Sequence, residues 1–376
     1  MKTTDLKKWI AAWKDIGTIV LWGYGKNCML HIEEIKKDYA VEAIVDNDEN
    51  KDGTIADGIP VMLPQKIELR HKKIVITTHY EEISAQLKRE GFEEYVDFCD
   101  MRILVSAGSW YQYGKVVLSE VHIAVTTACT LNCKYCNMYM PFHKNHILTL
   151  KPEEVKEQIQ LLFTYVDRVS NLILIGGETL LYQELDQVIR YICECYRQRV
   201  GNIEIVTNGT VLPKAPLLEV LKENQVLVSM SNYQLNAKYQ EKFEQVKQLF
   251  AQNGVKSYSN ADLQWKDFAF PYRKLNLSDA QAYENMNLCN PVFRGFNDSK
   301  LYFCHLVWSA NKAGIYQEQD TDYIDFRKIT AENREEIVLF HLCCRDSGYV
   351  SLCKDCGGCS NRNQSYIPVG EQVDSM

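Results

Sequence analysis

The chain has 376 residues, 46% hydrophobic and 24% charged, with 42 Lys and Arg against 49 Asp and Glu for a net charge of −7. That length fills two or three domains with sizeable cores, and a mildly acidic balance with no dense Lys/Arg run excludes an electrostatic nucleic-acid footprint. The opening MKTTDLKKWIAAWKDIG is charged and has no apolar h-region, and no run of about 18 apolar residues follows, so the expectation is a cytoplasmic protein, neither exported nor membrane-spanning.

The first segment, about residues 15 to 105, alternates strand and helix signals. TIVLWGYG (18–25) is an apolar run ending in glycines, VEAIVDND (41–48) one ending in acids, and HKKIVITTH (71–79) a third, with helix-length polar stretches between. That order predicts a small parallel sheet with helices on its faces. The Gly23-x-Gly25 turn opens a predicted helix, and Asp46 follows Gly25 by 21 residues, near the ~20 at which a ribose-binding acid sits in dinucleotide folds. Cys28 stands where the third glycine of that fingerprint would be, so a nucleotide site at Gly23, Gly25 and Asp46 competes with a scaffolding domain that binds nothing. With GIPV (58–61) added, the pattern resembles the small Rossmann-like domains of polysaccharide- and sugar-modifying proteins over about 90 residues. The junction falls near AGSWYQYGK (107–115), giving a first domain over 1–110.

The second segment, 111–285, again alternates. Strands are expected at VHIAVTT, NLILIGG (171–177), NIEIVTNG (202–209) and QVLVSMS (225–231). Between them Val155, Ile159, Leu162 and Val166, then Leu185, Val188, Ile189 and Ile192, then Phe243, Val246 and Phe250 repeat at helical spacing. Repeated strand–helix units point to a parallel barrel or half-barrel with functional residues at its strand ends.

Fourteen cysteines in a chain without an export signal suit metal or redox work better than disulfides. Cys28, Cys99, Cys193 and Cys195 read as small buried hydrophobes. Cys129, Cys133 and Cys136 form a cluster directly after the first strand of the second segment. Four thiolates saturate a cube or a tetrahedral zinc, whereas three leave one metal corner open for a non-protein ligand. Tyr135 is placed to pack against a bound ring.

The spacing Cys129-x3-Cys133-x2-Cys136 resembles the signature of the radical S-adenosylmethionine superfamily. The resemblance implies an α/β fold, a partial (β/α)6 TIM-like barrel between the Rossmann-like domain and a cysteine-rich extension. It implies a 4Fe-4S cluster whose open iron is chelated by S-adenosylmethionine, reductive cleavage to a 5′-deoxyadenosyl radical, and an electron donor such as flavodoxin or ferredoxin. Gly176-Gly177-Glu178 resembles the family's glycine-rich motif that holds the methionine ammonium, with Thr179 where the family usually has proline. Thr207-Asn208-Gly209, Ser229 and Ser231 resemble its contacts to ribose and carboxylate. A zinc site or unconnected core thiols is the competing reading of the triad.

The third segment, 286–376, carries Cys289, Cys304, Cys343, Cys344, Cys353, Cys356 and Cys359. Cys289 and Cys304 bracket FRGFNDSKLYF, read as a hairpin, and with Cys353 and Cys356 make a closed set of four. This resembles the short, one-cluster auxiliary extension known as Twitch, related to the two-cluster SPASM form, and implies a second 4Fe-4S cluster. Ser299 stands where the family has glycine, Cys359 is an alternative to Cys353, and a zinc ribbon is the competing reading. Cys343 and Cys344 are spectators, or one is a hydrogen-atom donor; His122 is read as a core histidine. The function expected is hydrogen abstraction from a carbohydrate-type substrate, a sugar, polyol or nucleotide sugar, giving dehydrogenation or epimerisation. A peptide maturase is the alternative and a cluster-bearing redox sensor the third.

Overall fold

The computed structural model describes residues 1–261, 264–289, 294–344, 349–360 and 362–373. Their contacts divide into two units: Met1–Ser119 with Val166–Ser170 and Arg334–Asp346, and Glu120–Tyr165 with Asn171–Asn333 and Ser347–Met376.

The first unit holds strands β1 (Thr18–Trp22), β2 (Ala40–Val45), β3 (Ile55–Ala56), β4 (Ile59–Met62), β5 (Ile74–Ile76) and β6 (Phe98–Asp100). They lie in the order β3-β4-β2-β1-β5-β6. All neighbours are parallel except β3, which returns antiparallel on β4. Helices Lys26–Asp38 and Tyr80–Arg89 follow β1 and β5. Val20, Trp22, Val45, Ile74, Ile76 and Phe98 form the core of this sheet, and near-continuous apolar strands are what a parallel sheet covered on both faces requires. Strand order reverses at β1, so the crevice beyond its carboxyl end is a topological switch point.

The second unit is built on a mixed sheet with a parallel core. Its strands are β7 (Val117–Thr126), β8 (Arg168–Gly176), β9 (Val200–Thr207), β10 (Leu227–Ser231) and β11 (Ser257–Asn260). Helices Pro152–Tyr165, Leu185–Tyr196, Ala215–Glu223 and Ala237–Gln252 separate them. Each helix turns its apolar stripe inward: Val155, Ile159 and Leu162 on the first, Leu185, Val188, Ile189 and Ile192 on the second. The next strand, β12 (Gln264–Lys266), is where a six-unit barrel would place its last strand. It pairs instead with a distant partner described below.

Three strands of the cysteine-rich extension, β13 (Gly295–Asn297), β14 (Lys300–Tyr302) and β15 (Tyr323–Asp325), continue the main sheet past β7, in the order β11-β10-β9-β8-β7-β13-β14-β15. The final strand, β16 (Tyr366–Pro368), pairs antiparallel with β12 as a separate ribbon. Six strands were expected around the core; five run from β7 to β11, and β13 takes the position beside β7.

The β13–β14 hairpin turns on Asp298 and Ser299, both at positive φ (54° and 61°). That pair of left-handed residues matches the twist a two-residue hairpin needs, with Asp and Ser standing in for the usual glycine. The tight turn is held from outside, since Asp298 N–H donates to Gln158 Oε1 (2.9 Å) and Trp308 Nε1 donates to Asp298 Oδ2 (3.0 Å). Phe293, at the start of the expected hairpin, lies outside the described residues.

Among the described residues one pair, Gly295 with His122, joins β13 to β7 in register. A side chain extends the seam: Asn297, 1% exposed, accepts from Ala124 N–H (3.1 Å) and donates to Ala124 C=O (2.9 Å). Asn297→Leu keeps the volume and strips both partners from a buried peptide, at about 1–3 kcal/mol for each unsatisfied group. The expected result is a loss of roughly 2–4 kcal/mol in urea unfolding with unchanged slope; a midpoint equal to wild type refutes the seam.

Candidate functional site

The carboxyl ends of β7, β8, β9 and β10 carry the predicted site residues. The pair Gly176-Gly177 lets β8 end flush against the chain leaving β7. Gly177 N–H donates to Thr126 C=O (2.9 Å) and Glu178 N–H to Ala128 C=O (2.7 Å). A Cβ on Gly176 would stand 2.6 Å from Thr126 O, and one on Gly177 would stand 2.4 Å from Ala128 O and 2.7 Å from Met140 Sδ. The residue that follows Ala128 is Cys129, so the glycines set where the cysteine loop begins.

Glu178 is 1% exposed. Its carboxylate accepts from Thr207 Oγ1 (2.7 Å), Asn208 N–H (2.7 Å) and Leu180 N–H (3.0 Å). Burial pushes its carboxyl pKa up despite these three donors. A carboxylate offers about four acceptor sites, and three of them are taken by these donors. Asn208 continues the link, with Nδ2 3.1 Å from Thr130 Oγ1 and 3.7 Å from Cys129 Sγ. Tyr239 clamps the neighbouring ends, its single phenolic hydrogen shared between Asn208 C=O and Ser231 C=O, each 2.9 Å from Oη. Gly209 sits at φ +72°, where a Cβ would meet the Phe243 ring at 2.4 Å. Ser229 is buried in register between Val206 and Tyr258. The geometry thus brings Cys129, Gly176, Gly177, Glu178, Thr207, Asn208 and Ser231 into one hydrogen-bonded group.

The triad loop is wound tightly: Cys136 N–H donates to Cys133 C=O (3.1 Å) and Tyr139 N–H to Cys136 C=O (2.9 Å). Burial pushes Cys129 and Cys133 up to about 12 and Cys136 up as well, and Cys129 faces both other thiols. A bound metal would supply the positive charge that favours their thiolate forms. Tyr135 meets Tyr272 edge-on with ring centroids 5.3 Å apart, and Lys134 Nζ lies 4.8 Å from its ring centre.

One partner of the triad had no signal in the sequence. The chain end Glu371–Val373 pairs with Asn132–Lys134: Lys134 N–H donates to Glu371 C=O (2.7 Å) and Val373 N–H to Asn132 C=O (2.8 Å). Gln372 Nε2 then donates to Cys133 Sγ (3.2 Å) while its oxygen accepts from Asn132 N–H (2.8 Å).

In the same unit a second group of thiols forms. Cys289 caps the helix Asp279–Leu288, Cys304 opens the helix His305–Lys312, and Cys353 lies in the turn Ser351–Lys354. Cys356 bridges to Ala269 and accepts from Asn285 Nδ2 at its carbonyl (2.6 Å). Cys289, Cys304, Cys353 and Cys356 line one hollow whose other walls include Phe303, Leu306, Val307 and Leu352. Cys359 stands beside it, Sγ 3.3 Å from that of Cys289. Burial pushes Cys304 and Cys353 well up and Cys356 to about 12. Among the described residues no three His, Cys, Asp or Glu side chains close on the position of a single ion.

A cavity of about 300 Å³ is lined by Cys136, Tyr139, Phe268, Phe270, Tyr272 and Cys359. His122 is paired with Glu120 (2.7 Å), and its ring lies tilted against that of His305 with centroids 4.8 Å apart.

In the first unit a separate cavity of about 530 Å³ brings together Gly23, Gly25, Asp46, Lys51, Thr78 and His79 at the switch point. Gly23 has φ +111°, and a Cβ there would lie 2.3 Å from Thr78 Cγ2. Burial raises the Asp46 carboxyl, but Lys51 and the N–H groups of Asp48 and Tyr24 outweigh it and hold it low. Those contacts, 2.7–2.9 Å long, occupy most of the acceptor sites a ribose would use. Cys343 and Cys344 are buried in this unit, where Thr3 donates to Cys344 C=O (3.3 Å).

Residues 123–262 match the model of the Radical SAM superfamily, and residues 16–96 match that of the C2185-like N-terminal family. The chain therefore carries a radical S-adenosylmethionine superfamily domain. It is 30% identical over 97 residues to a probable GTP 3′,8-cyclase of Methanococcus aeolicus, covering 26% of this chain and 31% of that protein. Streptococcus suis SuiB bound to precursor peptide SuiA is 16% identical, with a TM-score of 0.33 over 41% of this chain and 35% of that one. BtrN in complex with AdoMet and 2-DOIA is 17% identical, with a TM-score of 0.40 over 69% of this chain and 99% of that one. The chain thus spans about a third of the curated relative and of SuiB. No helix among the described residues is long and apolar enough to cross a membrane.

Gly177→Ala forces its Cβ against a backbone oxygen, which no side-chain rotation relieves, and overpacking of this kind costs about 1–3 kcal/mol. Gly17→Ala, with nothing within 4 Å, is expected within about 0.5 kcal/mol of wild type. Chemical denaturation of the pair, with iron retention read in parallel, checks that only the first displaces the Cys129 loop.

Proposed function

We propose that this protein is a radical S-adenosylmethionine enzyme with two [4Fe–4S] clusters that acts on a hydroxyl-bearing carbon of a sugar, polyol or nucleotide sugar. The observation that carries the reading is the cavity of about 300 Å³ lined by Cys136 of the triad and by Cys359, whose sulfur stands beside that of Cys289 in the second group.

The residues fit the groups they would hold. Cys129, Cys133 and Cys136 would ligate three irons and leave one for the amino and carboxylate groups of S-adenosylmethionine. The glycine pair leaves backbone exposed where a side chain would block approach, and Glu178 is the carboxylate that would meet the ammonium. When bound, the cluster and S-adenosylmethionine supply one-electron cleavage of the sulfonium and a 5′-deoxyadenosyl radical that takes a hydrogen atom from the substrate. Cys289, Cys304, Cys353 and Cys356, around one mostly apolar hollow, would hold the second cluster and receive an electron from the substrate; flavodoxin or ferredoxin would reduce the first. Cys359 is left over from that set of four.

The carbohydrate assignment is supported by the first unit, whose switch-point cavity at Gly23, Gly25 and Asp46 has room for a nucleotide or phosphate at the start of helix Lys26–Asp38. The domain division 1–110, 111–285 and 286–376 is part of the same reading.

The test is 5′-deoxyadenosine released by the anaerobically reconstituted, reduced enzyme across nucleotide sugars and polyol phosphates in deuterated water. A substrate-dependent rise of at least tenfold is expected, with a product two mass units lighter for dehydrogenation or carrying deuterium for epimerisation. The Cys129/Cys133/Cys136 triple-alanine protein should release none and keep about half of the iron. A basal rate unchanged across the panel but raised by peptides moves the substrate to a peptide.

A further inference from the structure

Gln372 is an exposed residue, yet every polar group of its amide is engaged. The oxygen accepts from Asn132 N–H (2.8 Å), and the nitrogen donates to Gly370 C=O (2.7 Å) and to Cys133 Sγ (3.2 Å). A glutamine on a surface ordinarily keeps its rotamer freedom and bonds to water. Here the partners also decide which way the amide points. Turned over, its oxygen would face the Gly370 carbonyl and its NH2 group the Asn132 N–H, so the atom on the sulfur is the nitrogen.

The backbone on both sides holds that amide in place. Glu371 C=O accepts from Lys134 N–H (2.7 Å), Val373 N–H donates to Asn132 C=O (2.8 Å), and Asn132 Nδ2 donates to Val373 C=O (3.0 Å). Cys133 and Gln372 thus face each other as an antiparallel bridge, and Cys133 beneath this strap is 5% exposed. A neutral thiol is a weak acceptor, whereas a thiolate takes a charge-assisted bond of roughly twice the strength. The donor is therefore matched to Cys133 as a metal ligand and not to Cys133 as a free thiol.

Resting on the reading of Cys129, Cys133 and Cys136 as ligands of a [4Fe–4S] cluster, we propose that Gln372 is a positioning residue for that cluster, whose amide donates to the ligating Cys133 sulfur and raises the cluster's reduction potential. An N–H dipole aimed at a ligating sulfur stabilises the more negative, reduced form. The one-electron donor, of the flavodoxin or ferredoxin class, then meets a cluster that accepts its electron more readily. Because the amide comes from residue 372, that tuning depends on the C-terminal extension being in place.

The experiment uses the full chain carrying Cys289→Ala and Cys304→Ala, so that the Cys129 cluster is read by itself, with and without Gln372→Met, which keeps the side chain's length and removes the donor. Redox titration followed by electron paramagnetic resonance, without S-adenosylmethionine, is expected to show a lower midpoint potential in the Met variant. Pulsed electron paramagnetic resonance of the reduced parent protein labelled with 15N-glutamine is expected to show a 15N coupling that the Met variant lacks. The coupling in the parent stands even where the variant folds poorly. Hydrogen exchange at Lys134 N–H is expected to be equal in the two proteins, because the strap stays paired. Equal potentials with the cluster assembled overturn the proposal. A lower potential accompanied by faster Lys134 exchange, with no 15N coupling in the parent, also overturns it, since the strap and not the amide is then responsible. A parent protein whose intact Cys129 group assembles no iron–sulfur cluster overturns the underlying reading and this proposal with it.

Discussion

The carboxylate of Glu178 is the tie on which the second unit's chemistry hangs. It reaches from the end of β8 to the end of β9, takes Thr207 and Asn208 at 2.7 Å each, and through Asn208 touches the start of the cysteine loop. A buried carboxylate is expensive without donors, and here the donors are the backbone and side chain of the very residues that must be held in place. The desolvation that raises its pKa is therefore also what makes the tie directional, because any loosening of β8 from β9 leaves a charge in an apolar interior.

The two cysteine groups work on the opposite principle. Burial makes a lone thiolate unfavourable in each, and on Cys304 it outweighs the favourable charge of Arg294. Buried, mutually facing thiols become favourable as thiolates around a positively charged centre, so the folding of both loops would be coupled to a metal group bound there.

What was legible in the sequence is what is local. The Cys129-x3-Cys133-x2-Cys136 spacing, the glycines before Glu178 and the apolar stripes of the helices sit within a few residues of their partners, and period and spacing report them directly. The hairpin turn at Asp298 and Ser299 was harder to read, because its positive φ values are sustained by Gln158 and Trp308 rather than by glycine. Asn297, Gln372 and the β12–β16 ribbon left no trace at all. Asn297 meets Ala124 across 173 residues and Gln372 meets Cys133 across 239, and nothing in either neighbourhood marks the other end.

The ribbon joins these strands of argument. β16 pairs with β12, and the chain then turns at Gly370, whose φ of +66° and close approach to Leu235 and Tyr233 admit no side chain. The following residues run along Asn132–Lys134 and deliver Gln372 to Cys133. β12 leads directly into Asp267–Ala269, which receive Gly357 and bridge Cys356. One short ribbon is therefore bonded to the first cysteine group at one end and to the second at the other. A continuous path of backbone pairing thus runs from Cys356 through Ala269, β12 and β16 to Gln372, whose side-chain amide completes it at Cys133. The extension is part of the environment of the Cys129 group, which is why it contributes strands to the same unit instead of folding apart from it.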